Sequence, residues 1–260
     1  MDNPVLQVKD INIAIKTGNS VKTVLKNGNF EVQRGEIVLI LGENGSGKSS
    51  IFRSLIRDED KSVESTRSMF FHGELIDTDE KLDKFRKSIG YARQEDDPDS
   101  FFSRSVWNYI YDYAKLSKDF ESLSKGEIQG EMNKIYKALE CDKYADGDLK
   151  GRKLKVCSGG EKRMATLLAA LSRTKSDLFI MDEPINNLDA YHARLLNNYL
   201  IRLKSGENPP GILVITHCHM FQKVDRVYRL SKGELTQIKD YQPKSCFGHC
   251  DKYGFYMEEE

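Results

Sequence analysis

Few cysteines, no excess of charge of either sign and no long apolar run mark this 260-residue chain. The five cysteines, Cys141, Cys157, Cys218, Cys246 and Cys250, are scattered and odd in number. They fit a reducing compartment rather than a disulfide framework. Forty Lys and Arg side chains balance forty Asp and Glu. Balance argues against a general nucleic-acid or lipid-headgroup surface, so no nucleic acid is expected, although a local patch is still allowed. No stretch approaches the roughly 18–20 apolar residues of a membrane span, and the start, MDNPVLQVKD, lacks the shape of a signal peptide. The expectation is a soluble, cytoplasmic protein without direct membrane insertion, which reaches any membrane through a partner. There is no internal repeat, and the length allows one large domain or two small ones.

What is present centres on Ile37 to Ser50, IVLILGENGSGKSS. Ile37 to Leu41 is an unbroken apolar run, the pattern of a strand buried on both faces of a parallel sheet. It leads into Gly42-Glu43-Asn44-Gly45-Ser46-Gly47-Lys48-Ser49, a match to G-x-x-x-x-G-K-[ST]. Ile51, Phe52, Leu55 and Ile56 follow at helical spacing, so a helix starts where the loop ends. Glycines let successive backbone N–H groups turn inward around a phosphate chain, and the helix N-terminus adds its positive end. The loop Gly42, Asn44, Gly45, Ser46, Gly47, with Lys48, Ser49 and Ser50, is therefore expected to bind a nucleoside triphosphate. Lys48 would reach the β- and γ-phosphates and Ser49 would hold Mg²⁺.

Along the chain, residues 5–35 read as a small antiparallel sheet. Alternation at Ile11, Ile13 and Ile15, a turn at Gly18-Asn19, and short strands at Val24-Leu25 and Phe30-Val32 carry that reading. Residues 57–68 read as a polar surface excursion, with strands at Met69–Phe71 and Ser88–Ala92. After the acidic loop at Glu95 the character changes to helix: Val106, Tyr109, Ile110 and Tyr113, then Ile128, Met132, Ile135, Tyr136 and Leu139. Residues 95–160 are expected to form a helical subdomain inserted in an α/β core. The core resumes with a helix bearing Met164, Leu167, Leu168 and Leu171. Strand Leu178–Met181 ends at Asp182-Glu183-Pro184, and a helix bears Leu188, Tyr191, Leu195, Tyr199 and Leu203. Strand Ile212–Ile215 then ends at Thr216-His217, and Arg226 to Ile238 reads as a hairpin turning at Lys232-Gly233. Alternating strands and helices imply a mainly parallel sheet, with ligands beyond the carboxyl ends of its strands. The expected class is α/β: a P-loop NTPase core, an N-terminal antiparallel β subdomain and the helical insertion, over residues 1–240, with a tail at 241–260.

An acidic residue at the tip of an apolar strand is the usual companion of a phosphate loop, although a strand-ending turn would also explain Asp-Glu-Pro alone. Cys157-Ser158-Gly159-Gly160-Glu161 turns this into a resemblance. It is similar to the L-S-G-G-Q signature of the ATP-binding cassette (ABC) superfamily, with Cys157 in place of leucine and Glu161 in place of glutamine. Gln94 at a strand end, Asn186-Asn187-Leu188-Asp189 and His217 match further stations of that family, in order. The resemblance implies an ATPase with ATP and Mg²⁺ as cofactors and an ATP-dependent homodimer joined head to tail. It implies Mg²⁺ at Ser49, Gln94 and Asp182, and catalysis by Glu183, His217 and Lys48. Across the dimer, Ser158, Gly159, Gly160, Glu161 and Asp189 would face the partner's nucleotide. It further implies a separate transmembrane subunit, placing the protein at the inner face of the cell membrane. Export is the leading direction, on a similarity at Phe101–Val106. A soluble ABC ATPase of repair, ribosome function or iron–sulfur cluster assembly is the alternative. Where the family stacks adenine on an aromatic residue this chain has Ile15, which puts the choice of ATP over GTP in doubt.

Weaker signals complete the reading. The acidic loop Glu95, Asp96, Asp97 and Asp99 would suit a basic docking helix on a membrane partner. Lys150, Arg152, Lys153 and Lys155 form a basic run that ordinarily is a solvated loop. Cys246, His249 and Cys250 offer three zinc ligands but lack a fourth and the paired spacing of zinc modules.

Overall fold

The computed structural model describes residues 3–17, 20–57, 62–94, 103–117, 123–145 and 147–244. The acidic loop at 95–99, Phe101 and Phe102, and the Cys246/His249/Cys250 tail lie outside them. Two sheets share the core. The first is antiparallel, in the order β2-β1-β4-β5, from β1 (Leu6–Thr17), β2 (Ser20–Val32), β4 (Val63–Phe71) and β5 (Glu74–Leu75). The second runs β10-β9-β3-β8-β7-β6, from β3 (Ile37–Gly42), β6 (Ile89–Ala92), β7 (Leu178–Asp182), β8 (Gly211–Thr216), β9 (Arg226–Ser231) and β10 (Glu234–Ile238). Within it β6, β7, β8, β3 and β9 are parallel and β10 closes antiparallel on β9. Lys232 and Gly233 both take positive φ in that last turn, as expected of a tight hairpin. None of the described helices is long and apolar enough to cross a membrane.

β3 shows why the parallel sheet forms. Ile37 to Leu41 are each 1% exposed or less, and they divide between two apolar clusters on opposite faces of the sheet. One cluster holds α1 (Lys48–Ile56), α2 (Asp79–Ser88) and the antiparallel sheet. The other holds α3 (Val106–Lys115), α4 (Lys125–Ala138), the short α5 (Asp142–Ala145), α6 (Gly159–Leu171) and α7 (Ala190–Lys204). Helix starts follow their capping residues. Ser105 caps α3, Ser124 and Ser158 head full capping boxes on α4 and α6, and Asp189 caps α7.

Three expectations need correction. The strands expected at Val24-Leu25 and Phe30-Val32 are one continuous β2, bent through register shifts against β1. Residues 63–68 are not a surface excursion but the first two thirds of β4, whose residues alternate between half-buried and exposed without an apolar side to announce it. The buried face of α7 is Ala193, Leu196, Asn197 and Leu200, while Tyr191 is exposed and Leu195, Tyr199 and Leu203 are only partly buried. Helix α2 was not foreseen; only Leu82 and Phe85 of its ten residues are buried.

Contact between α6 and β6 is close enough to require glycine. A Cβ on Gly90 would sit 2.5 Å from the Phe179 ring and 2.6 Å from the Ala170 carbonyl oxygen. Gly90→Ala is expected to destabilise the fold by about 1–3 kcal/mol through overpacking. Gly130→Ala, in open space on α4, should stabilise by about 0.5–1 kcal/mol. Urea denaturation of both checks this, and equal midpoints would contradict it.

Candidate active site

The turn from β3 into α1 is held open by two glycines. Gly47 takes φ 101, and a Cβ there would lie 1.8 Å from Val24 Cγ1 of β2; one on Gly42 would meet Ser46 Oγ at 2.6 Å. The two sheets therefore meet at this loop, and only glycine permits the approach. Lys48, the first residue of α1 and 5% exposed, folds its ammonium back over the loop. Its Nζ donates to the carbonyl oxygens of Gly42 (2.8 Å) and Glu43 (3.0 Å) and lies 3.3 Å from Glu183 Oε1. The Ser46 hydroxyl is buried beside it with no hydrogen-bond partner.

Parallel register brings further groups to the same edge. Asp182 pairs with Ile215 across β7 and β8, and Leu41 with Thr216 across β3 and β8, so the three strands end level. Asp182 is 2% exposed and its Oδ1 has no hydrogen-bond partner. Burial pushes its carboxyl up to about 6, against the pull of the Ser49 hydroxyl. Ser49 Oγ donates to Gln94 Oε1 at 2.8 Å, which joins α1 to the segment after β6.

Glu183 is the hub. Its backbone sits at φ 48, a left-handed conformation unusual for a side chain of this size. Oε2 accepts from Thr216 Oγ1 (2.9 Å) and Oε1 from the His217 backbone N–H (3.1 Å), while His217 Nδ1 lies 2.9 Å from Oε2. With Glu183 ionised, Nδ1 carries the proton and Nε2 is left to face other partners.

The Ser158 segment faces elsewhere. Ser158 is exposed and caps α6: its Oγ accepts from the Glu161 N–H (3.2 Å), and Glu161 Oε2 accepts from the Ser158 N–H (2.8 Å). Acting as acceptor leaves the hydroxyl its own proton to donate. Gly160 packs on the segment before α7, where a Cβ would come within 2.9 Å of the Asn187 carbonyl oxygen. Asp189 accepts from the His192 N–H at 2.8 Å. Ser158, Gly160, Glu161, Asn187, Asp189 and His192 line a cleft of about 220 Å³. A larger cleft, of about 500 Å³, lies beside Gly42, Asn44, His217, His219 and Arg229 and shares none of these residues.

The expected site residues thus fall into two groups: Lys48, Ser49, Gln94, Asp182, Glu183 and His217 on one edge, and Ser158, Gly160, Glu161 and Asp189 in the smaller cleft, whose lining leaves out Gly159. Sequence reasoning missed Thr216, legible only as a polar residue ending an apolar strand, and Arg163. Ile15 lies within β1, half-buried among apolar neighbours. The basic run does not form one surface. Arg152 pairs with Asp148 and Glu161, Lys150 lies over the Trp107 ring, and Lys153 and Lys155 are exposed.

The sequence profile described as "ABC transporter" matches residues 25–186, from β2 through the turn after β7. The energy-coupling factor transporter ATP-binding protein EcfA of Methanococcus maripaludis is 28% identical over 249 residues, covering 94% of this chain and 81% of that protein. The lipoprotein-releasing system ATP-binding protein LolD of Rickettsia bellii is 26% identical over 245 residues, covering 90% of this chain and 99% of LolD. A bacterial ABC transporter cassette solved as a dimer superposes with a TM-score of 0.74 at 20% identity, over 91% of this chain and 99% of that one. With phosphate loop, acidic strand end and Ser-Gly-Gly helix start all inside or beside the matched span, this chain belongs to the ABC transporter family, as an ATP-binding cassette that hydrolyses ATP.

Proposed function

We propose that two copies of this chain enclose two ATP–Mg²⁺ head to tail and drive transport through a separate membrane-spanning partner. The observation that carries this reading is the separation of the chemical residues: Lys48, Ser49, Gln94, Asp182, Glu183 and His217 gather at the strand edge, whereas Ser158, Gly160, Glu161 and Asp189 line a cleft that contains none of them. A phosphate loop and an anion-favouring helix N-terminus that face different clefts of one chain can act on one nucleotide only if a second chain supplies the other half. Family membership supports coupling to transport. The relatives' printed names concern different systems, so the reading extends to coupling and not to cargo.

At each site the loop amides and Lys48 bind the phosphates. As Lys48 turns to the β- and γ-phosphate oxygens, Glu183 Oε1 gives up its cationic partner and is left to orient and accept a proton from water. With a second proton on the imidazole, His217 Nε2–H would donate to the γ-phosphate, as would Ser158 Oγ–H and the Gly160 N–H from the partner. The donors near Asp182 fit a magnesium ion. Ser49, Gln94 and Asp182 offer oxygen ligands only, and the buried, unpartnered Asp182 Oδ1 is a carboxylate oxygen lacking the cation its burial calls for. Bound there, Mg²⁺ would neutralise charge on the β- and γ-oxygens. ATP holds the closed pair better than the open one, and hydrolysis removes that preference, which sets the available work.

Ser158→Arg should keep nucleotide affinity within about twofold while turnover falls by roughly two to three orders of magnitude, since it replaces the trans donor and α6 cap with a bulky cation but leaves the phosphate loop of its own chain untouched. A binding titration beside a phosphate-release assay checks this, and full turnover in the variant would refute the two-chain site. A second prediction concerns Asp182. Because its folded carboxyl is raised to about 6 from an ordinary value near 3.8, ionising it costs stability above pH 6, and the cost disappears as pH falls towards 4. Asp182→Asn should therefore stabilise the metal-free protein by about 3 kcal/mol at pH 8 and by little near pH 4. Denaturation at both pH values tests it, and a pH-independent gain would contradict it.

A further inference from the structure

One buried cation, Arg163, belongs to no cleft described above. It is the fifth residue of α6 and is 5% exposed. Its guanidinium reaches back from the helix into the edge of the parallel sheet and donates to three main-chain carbonyl oxygens. Nε donates to Pro184 O at 3.2 Å, Nη2 to Asp182 O at 2.8 Å, and Nη1 to Arg93 O. These carbonyls lie on two segments, the end of β7 with the turn that follows it and the exit from β6. Two of them belong to peptide units that lead directly into chemical residues. Asp182 O belongs to the peptide that sets Glu183 in its left-handed conformation, and Arg93 O to the peptide preceding Gln94.

A planar guanidinium holds its three carbonyls in fixed, spread directions, whereas an ammonium concentrates its three donors at one freely rotating atom and does not fix that spacing. The same helix is capped by Ser158, little more than one turn earlier, and residues 163–171 of it are all buried, so one continuous helix joins Ser158 to the packed core. We infer that Arg163 is a positioning residue, resting on the assignment of Asp182 and Gln94 above: it fixes the backbone on which the magnesium-binding and water-orienting groups are mounted. It also ties that backbone to the helix whose first turn meets the partner's nucleotide. A shift of Ser158 on engaging ATP in trans is thereby passed to the hydrolytic edge of its own protomer.

The test compares Arg163→Gln and Arg163→Lys in the full chain with Arg173→Lys. Arg173 is an equally buried arginine just past the other end of α6, where it donates to Lys87 O (2.6 Å) and Leu116 O (3.3 Å). For Arg163→Gln, kcat should fall by about a hundredfold, as for a misplacement of catalytic groups. The Mg²⁺ concentration for half-maximal turnover should rise about tenfold, as when a supporting residue of a metal site is lost. Binding of a fluorescent ATP analogue without Mg²⁺ should change by less than about twofold, because the phosphate loop is untouched. Arg163→Lys should fall between Gln and wild type, and it carries the test should Arg163→Gln not fold. Arg173→Lys should lower the melting temperature without moving the Mg²⁺ requirement. The inference is overturned if the Arg163 variants lose only thermal stability, or if Arg173→Lys shifts kcat and Mg²⁺ requirement equally. Asp182→Asn separates this from failure of the underlying assignment. If that variant leaves the Mg²⁺ requirement unmoved, the assignment fails; if it moves the requirement and the Arg163 variants do not, Arg163 alone fails.

Discussion

Parallel pairing of β3, β8 and β7 ends three buried strands at one level, and the chemistry of this chain is mounted on that edge. A parallel sheet needs both faces covered, which here is done by α1, α2 and the antiparallel sheet on one side and α3 to α7 on the other. Level strand ends then put Lys48, Asp182 and Glu183 within reach of one another without any loop having to search for the arrangement. The hydrogen bonds from Thr216 and His217 to Glu183 follow from the same register, since both residues leave the end of β8.

The arrangement runs against stability. Lys48, Asp182 and Glu183 are all at least nine-tenths buried, and burying charge is costly unless partners replace water. Glu183 has its partners in Lys48, Thr216 and His217, whereas Asp182 Oδ1 has none. A left-handed Glu183 adds about 1–3 kcal/mol of backbone strain. These costs are borne by strands whose residues are almost wholly removed from water, and Arg163 helps by satisfying three carbonyls around the strained turn. Concentrating destabilising features beside a phosphate loop is what a preorganised hydrolytic site requires.

Much of this was legible in the sequence where a local pattern and a chemical motif agreed. The run Ile37–Leu41, the glycines after it and the apolar Leu178–Met181 announced both strands and their reactive ends. The closing hairpin was marked by Lys232-Gly233. Legibility failed where burial is one-sided or partners come from far away. β4 begins with polar residues that alternate only in exposure, so no apolar period marks Val63–Ser68. Helix α2 had one usable signal, Thr78 before Asp79 and Glu80, a capping residue followed by acids. Arg163 has no local mark of its role, because nothing nearby in the sequence shows that Arg93, Asp182 and Pro184 converge on it. The left-handed Glu183 likewise has no sequence mark.

The central claim, that one nucleotide is held between two copies, is reached most directly by the mass of the particle. Sedimentation of Glu183→Gln, which retains the cradle but not the carboxylate that handles water, should show a dimer with ATP and Mg²⁺ and a monomer with ADP. A protein that stays monomeric with ATP at high concentration would contradict the account.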